Sequence, residues 1–308
     1  MNSNRALSIV AVATLAACLM PSNALGVVAL TAYYDFEGAG VDRFDDPAGA
    51  FADDLTGQFN PAFSNDTAGA FVGTQSASFD GNSALFTESF TTDLGPDASA
   101  FTISFWIKAT DADQEADNTR LMTTLIVPPN SNNTIPYWQI EGFGRGSNGD
   151  KLNLRIQNNG TGKNWFSPNA TNAIANPGET ADWHHVVLVQ SNTGGTDGGA
   201  YSQTFVDGVS TGYLLMDPVF DGFTIGNIAG EFIIGGHAEN AGGRAFTGLL
   251  DDVALWSGIL SDADILALAE GRLSPSAFLA STDVPEPASL MLLTLAAGGL
   301  MARRRRLN

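Results

Sequence analysis

A single cysteine, Cys18, occurs in 308 residues. With no second thiol there is no intramolecular disulfide, and neither a cysteine-thiolate metal cluster nor a cysteine nucleophile can exist in the body downstream of it. Positive charge is also scarce: 14 lysines and arginines stand against 33 aspartates and glutamates, a formal net charge of −19. A surface of that sign repels phosphate backbones and anionic headgroups and attracts divalent cations, so nucleic acid is excluded as a partner. Histidine is limited to His184, His185 and His237, all read as structural or loop residues. No segment reads Glu-x-Asp-x-(x)-Glu, the pattern that sets two carboxylates about 5 Å apart across a glycosidic bond. Glu141 is followed by Gly142, Phe143 and Gly144, with no second acid two to five residues on. Serine-nucleophile chemistry is not expected either. The expectation is a protein that is not an enzyme.

Period-two alternation is what the chain has in abundance. Phe101 to Ile107, Lys151 to Gln157 and Trp183 to Gln190 alternate large apolar with polar residues, the last as a half-buried strand with His184 in its polar phase. Asn158 to Gly162, Asn192 to Gly199 and Ala238 to Gly243 are turn and loop chemistry. With 34 glycines and strands at short intervals, the prediction is an all-β, two-sheet antiparallel sandwich. Trp106, Trp183 and Trp256 are expected to fill the space between the sheets. One short helix follows: Ser261 caps it, Asp262 and Asp264 occupy the first turn, Ile265, Leu266, Leu268 and Ala269 form an apolar face, and Gly271 stops it. Residues 25–271 are expected to form one domain and 272–284 a linker. Gly144 to Gly149 satisfies G-x-G-x-x-G, but it leads into the alternating strand at Lys151 rather than a helix, so it reads as a hairpin loop.

Both ends read as addresses. Arg5 precedes an apolar run from Ala6 to Met20, and Ser22-Asn23-Ala24 has the small-x-small pattern of a secretory cleavage site, so residues 1–24 are expected to be a signal peptide cut after Ala24. At the other end come Pro285-Glu286-Pro287, an uncharged apolar segment over 288–302, and Arg303, Arg304, Arg305 and Arg306. A helix of that length rises about 22 Å, short of the hydrocarbon core of about 30 Å, which suits a transient inner-membrane anchor with its arginines on the cytoplasmic side. Residues 285–308 resemble the PEP-CTERM sorting signal of exopolysaccharide-producing bacteria, which implies an exosortase-type processing enzyme as partner. Leu15-Ala16-Ala17-Cys18 also resembles a lipobox, which would lipidate Cys18. Without both tails the body keeps nine basic and 32 acidic residues, a net charge near −23.

Eight short blocks, in order, resemble a laminin-G-like (concanavalin A-like) jelly-roll domain. They are Tyr33 to Gly38, Asp54 to Gly57, Ser78 to Gly81, Phe101 to Lys108, Trp183 to Val187, Phe205 to Val209, Phe232 to Gly236 and Phe246 to Trp256. The resemblance implies a metal between the first and last strands, held by Asp35 or Glu37 and by Asp251 or Asp252, with calcium the expected cofactor because hard cations want oxygen ligands. Strand neighbours point to opposite faces, so only one of Asp251 and Asp252 is expected to join a given site. Asp111, Asp113, Glu115 and Asp117 have the early spacing of a calcium loop but lack its glycine and its terminal glutamate, and read as a solvated acidic loop. Tyr137, Trp138 and Trp165, set among Pro, Asn and Ser, are candidate aromatic platforms for a pyranose face. The sequence therefore predicts an exported, non-catalytic module of the cell surface or extracellular matrix that binds a glycan or matrix partner with calcium. The alternatives are an adhesive structural protein without sugar specificity, or a glycosidase that depends on Glu141.

Overall fold

The computed structural model describes residues 28–37, 56–58, 62–68, 73–86, 90–91, 100–109, 119–125, 137–143, 151–157, 182–215, 229–236 and 245–278. Fifteen strands and one helix lie among them. The larger sheet is built from β1 (Ala29–Tyr34), β3 (Ala62–Ser64), β4 (Ser76–Asp80), β7 (Ala100–Lys108), β11 (His184–Ser191), β12 (Tyr201–Val206), β13 (Val209–Leu215) and β15 (Thr247–Ser257). The smaller is built from β2 (Thr56–Gln58), β5 (Ala84–Phe86), β6 (Phe90–Thr91), β8 (Thr119–Leu125), β9 (Tyr137–Phe143), β10 (Lys151–Gln157) and β14 (Ala229–Ile234). Strand order is β13-β12-β11-β7-β15-β4-β3 with β1 beside β15, and β10-β9-β8-β14-β5-β2 with β6 beside β14. The all-β, two-sheet jelly-roll expectation holds.

Alternation explains the inner core. Phe101, Ile103, Phe105 and Ile107 of β7, Val186 and Leu188 of β11, and Val253 and Leu255 of β15 meet Met122, Ile140, Phe232 and Ile234 of the smaller sheet in one buried cluster. Tyr34 and Phe232 stack with ring centres 5.9 Å apart, joining the two sheets.

The other face of the larger sheet is buried too. Tyr33, Val187, Val189, Phe205, Ala254 and Trp256 form a second cluster with Leu260, Ile265 and Leu268, and Val28, Leu273 and Phe278 pack against it. This corrects two expectations. β11 is buried on both faces beyond His184 rather than half-buried, because the helix and the turn after it cover its outer side. The tryptophans do not fill the space between the sheets. Trp256, fully buried, belongs to the outer cluster, and Trp106, paired with His185 on the outer phase of β7, is half-buried. Trp183 precedes β11, where its indole N–H donates to Asp66. Phenylalanines occupy the inter-sheet positions instead.

The helix α1 (Asp262–Ala269) forms as predicted. Ser261 Oγ accepts the Asp264 amide at 3.2 Å and donates to its carboxylate at 2.6 Å, relieving one unpaired amide of the first turn. Gly271, at φ +64°, ends the helix; its N–H donates to Leu268 O and the Arg272 N–H to Ala267 O, a Schellman closure. The buried face is Ile265, Ala267 and Leu268; Leu266, expected inside, is exposed. Leu273 and Phe278, in the stretch read as linker, pack on the body, Phe278 edge-on to Trp256 with ring centres 5.9 Å apart.

Candidate functional site

β15 has β7 along one side and two shorter partners along the other. Leu249 and Leu250 pair with β4, and Val253 onward pairs with β1. At the changeover the β15–β7 register shifts between Asp251 and Ala254, and Asp252 takes φ +47°. A bulge of this kind re-aims side chains and suspends strict alternation. Aspartate tolerates the left-handed region better than most residues, so the bulge falls where the sequence can carry it.

The bulge holds two of the acids named from the sequence, Asp251 and Asp252, and Asp35 and Glu37 act on them electrostatically. Asp252, 8% exposed, accepts a hydrogen bond from the Tyr33 hydroxyl at 2.5 Å. Asp251 is fully buried; its Oδ1 accepts the Asp252 amide at 2.9 Å, and its Oδ2 finds no partner among the described residues. Burial, then the neighbouring Asp252 charge, pushes the Asp251 carboxyl up to about 9, with Glu37 and Asp35 adding to the rise. Burial also pushes Asp252 up to about 7, against the Tyr33 hydrogen bond that lowers it, and the charges of Asp35 and Glu37 push the same way as burial. Tyr33 is driven well above the usual phenol range, first by burial and then by Asp252. The four acids therefore share one electrostatic field. Glu37 also has a structural role: Oε1 accepts the Thr74 and Gln75 amides and Oε2 the Thr74 hydroxyl, clamping the exit of β1 to the entry of β4. Burial raises its pKa, but those hydrogen bonds outweigh it and hold the carboxyl below its ordinary value.

All-oxygen donors and one orphaned buried oxygen suit a hard cation. Even so, among the described residues no three His, Cys, Asp or Glu side chains converge as a ready ligand set, so backbone carbonyls and water would have to complete a shell.

Beside this cluster lies a cavity of about 10 Å³ lined by Ser104, Trp106, His185, Asp252 and the 271–275 turn. That is room for a single water. Ser104 Oγ and His185 Nδ1 are buried without a partner among the described residues. Burial holds the His185 imidazole down to about 4, outweighing the nearby Asp207 charge, so the ring is neutral. The sequence reading gave His185 a structural role but singled out neither Ser104, which lines this cavity, nor the Tyr33 bond to Asp252, because both depend on partners far along the chain. His184 instead pairs with Asp207 at 2.8 Å.

Tyr137, Trp138 and Glu141 lie on β9, paired with β8 and β10, their side chains outside the described residues. Trp165, the Asp111 to Asp117 loop, His237, Gly144 to Gly149, Cys18, the cleavage site at Ala24 and the tail with Pro285, Glu286, Pro287 and Arg303 to Arg306 also lie outside them. Among the described residues no helix is long and apolar enough to cross a membrane. One motif escaped the sequence reading: Gly208-Val209-Ser210-Thr211-Gly212 has the G-x-S-x-G spacing. It forms the turn and start of an edge strand, with Ser210 bonded to Gln203, rather than a strand-to-helix elbow.

Residues 79–266, more than half of the chain, match the family described as Laminin_G_3, the concanavalin A-like lectin/glucanases superfamily. Residues 283–306 match the PEP-CTERM protein-sorting motif. No curated protein sequence matches the chain. Among solved structures, domain 4 of the extracellular arabinanase AbnA from Geobacillus stearothermophilus, in complex with arabinotriose, is similar over 79% of this chain and all of that one, at 17% identity and TM-score 0.54. The binding domain of botulinum neurotoxin DC, in complex with rat synaptotagmin II, is similar over 80% of this chain at 12% identity and TM-score 0.50. This chain spans 52% of that structure's length.

Proposed function

The chain belongs to the concanavalin A-like lectin/glucanases superfamily and carries a PEP-CTERM sorting motif, and from that premise we propose that it is an exported, non-catalytic surface or matrix module that binds a glycan. The observation that carries the reading is the union on one chain of a sandwich whose fold relative holds arabinotriose with a tail that addresses it to an exosortase-type enzyme. Export across the inner membrane, transient anchoring by residues 288–302 and release or retention at the cell envelope follow from the same tail. Fold likeness alone does not fix a ligand. The test is a glycan panel probed with the full protein. Saturable binding lost in Trp138→Ala or Trp165→Ala supports those aromatics as the platform; hydrolysis of any polysaccharide abolished by Glu141→Gln would overturn the non-catalytic reading.

Calcium forms part of the proposal. One of Asp251 and Asp252, with Asp35 or Glu37, would hold the ion, backbone carbonyls and water completing its shell, and it would supply positive charge where the fold otherwise buries carboxyls against their preference. Binding to the native state alone raises the melting temperature, so calorimetry with calcium and then with chelator decides it; identical melting curves reject the ion. A second reading, an adhesive protein without sugar specificity, draws on the neurotoxin domain bound to a protein. A panel without a single glycan hit favours it.

A further inference from the structure

The β12–β13 hairpin turns through Asp207-Gly208, at φ +50° and +77°, and is the outer edge of the larger sheet. Close to the turn its register is regular, Phe205 opposite Ser210, but Thr204 then stands opposite Gly212. Thr211 is the extra residue of a bulge on β13. One inserted residue moves every later side chain to the other face. Tyr213, which would otherwise share a face with Ser202 or Thr204, is carried to the outer face opposite Gln203.

There it meets Tyr201. The two rings stack at 5.1 Å and 21°, so Tyr201 covers one face of Tyr213. The Tyr213 hydroxyl accepts the Thr196 amide at 2.9 Å, which fixes the ring's orientation, and the residue stays 39% exposed. Along the strand from it, Gln203 Nε2 donates to Ser210 Oγ at 3.0 Å on the same face. A rigid, half-exposed aromatic ring bordered by an amide and a hydroxyl can take the C–H face of a pyranose while its hydroxyls exchange hydrogen bonds with the rim.

We propose that this outer-face shelf, centred on Tyr213 with Gln203 and Ser210, is a glycan contact in addition to Trp138 and Trp165, and that it takes neutral sugar units. Charge decides the class. Asp197 lies in the loop that holds Tyr213, and the Asp262 carboxylate reaches Tyr201 electrostatically. With a net charge of −19 on the chain, a polyuronate is repelled, whereas neutral hydroxyls can donate to carboxylates. The proposal rests on the glycan-binding reading above.

Affinity electrophoresis of the full protein through gels holding arabinan, a β-glucan or alginate tests both and tells them apart. Expected are retardation in a neutral gel and none in alginate, an affinity about tenfold weaker for Tyr213→Ala, and a smaller loss for Tyr213→Phe, which keeps the stacked ring but not the Thr196 bond. Ser210→Lys, at an exposed position, blocks the shelf without disturbing the core and should weaken binding as well, which keeps the test decisive if Tyr213→Ala does not fold. Wild-type retardation that neither Tyr213→Ala nor Ser210→Lys alters, with loss in Trp138→Ala, overturns the shelf and leaves the glycan reading standing. Retardation in no gel overturns both. Retardation in alginate alone overturns the charge argument and the shelf with it. Self-association that depends on Tyr213, without glycan binding, assigns the edge to a second copy of the chain and also overturns the proposal.

Discussion

Replacing Asp251 by asparagine should stabilise the protein in alkaline solution and destabilise it in acid. The folded carboxyl is raised to about 9 from an ordinary 3.8. Such a group favours the fold at low pH, where both states are protonated, and that advantage drains away as pH rises from the unfolded value through the folded one. The slope is about 1.4 kcal/mol per pH unit for one group. At pH 8 the wild type must hold a proton that the unfolded chain would release, a handicap of up to about 6 kcal/mol. Asparagine removes that handicap and keeps an oxygen for the Asp252 amide. It also buries an N–H pair where Oδ2 now lacks a partner, a penalty of about 1–3 kcal/mol.

The two terms cross between about pH 4.5 and 6. In chelator, Asp251→Asn should therefore melt above the wild type at pH 8, by about 3–5 kcal/mol of stability, and below it at about pH 4. Thermal denaturation by circular dichroism at four pH values is sufficient. If calcium binds the acids, adding it should raise the wild type at pH 8 and shrink or reverse the mutant's advantage. A variant that melts below the wild type at every pH in chelator would refute the premise that Asp251 is buried against its charge.

Three other outcomes are expected. Gly235 sits at φ +85° with a Phe79 ring atom 2.1 Å from where a Cβ would stand; Gly235→Ala should cost about 3 kcal/mol, read as a lower melting temperature, and an unchanged one would contradict the packing. Phe278→Ala should cost about 1–2 kcal/mol and raise tryptophan emission intensity or wavelength as Trp256 loses its cover; no change in either would place Phe278 off the body. Intact mass of the protein from a PEP-CTERM-processing host should begin near Leu25 and end near Pro285. A mass that retains Arg303 to Arg306 would contradict the processing expectation.

Elements whose pattern is local were legible in the sequence. β7, β10, β11 and the helix follow from alternation, a serine cap and a glycine stop, each set by neighbours a few residues apart. The outer layer was not. Val187 and Val189 signal an apolar stripe, but their cover arrives from Ile265, Leu268 and the turn after Gly271, far along the chain, so the strand reads as half-buried. The expected acids do lie within one field, for a reason the resemblance supplied and composition did not. Their bulge was invisible, since Asp251-Asp252 continues an ordinary strand until the register is known. Tyr213 shows the same limit: counting onward from the Asp-Gly turn puts it on the inner face, and only the extra Thr211 moves it outward.

Val28, at the start of the described body, and Phe278, at its end, rest on the same outer cluster around Trp256. The domain is thus fastened at one seam. Tension applied through the C-terminal end of the body would reach the aromatic edge contact first and then the helix, before it strained β15, which is hydrogen-bonded to three neighbours. A module held by that end would give up its outer layer before the inner sandwich opened.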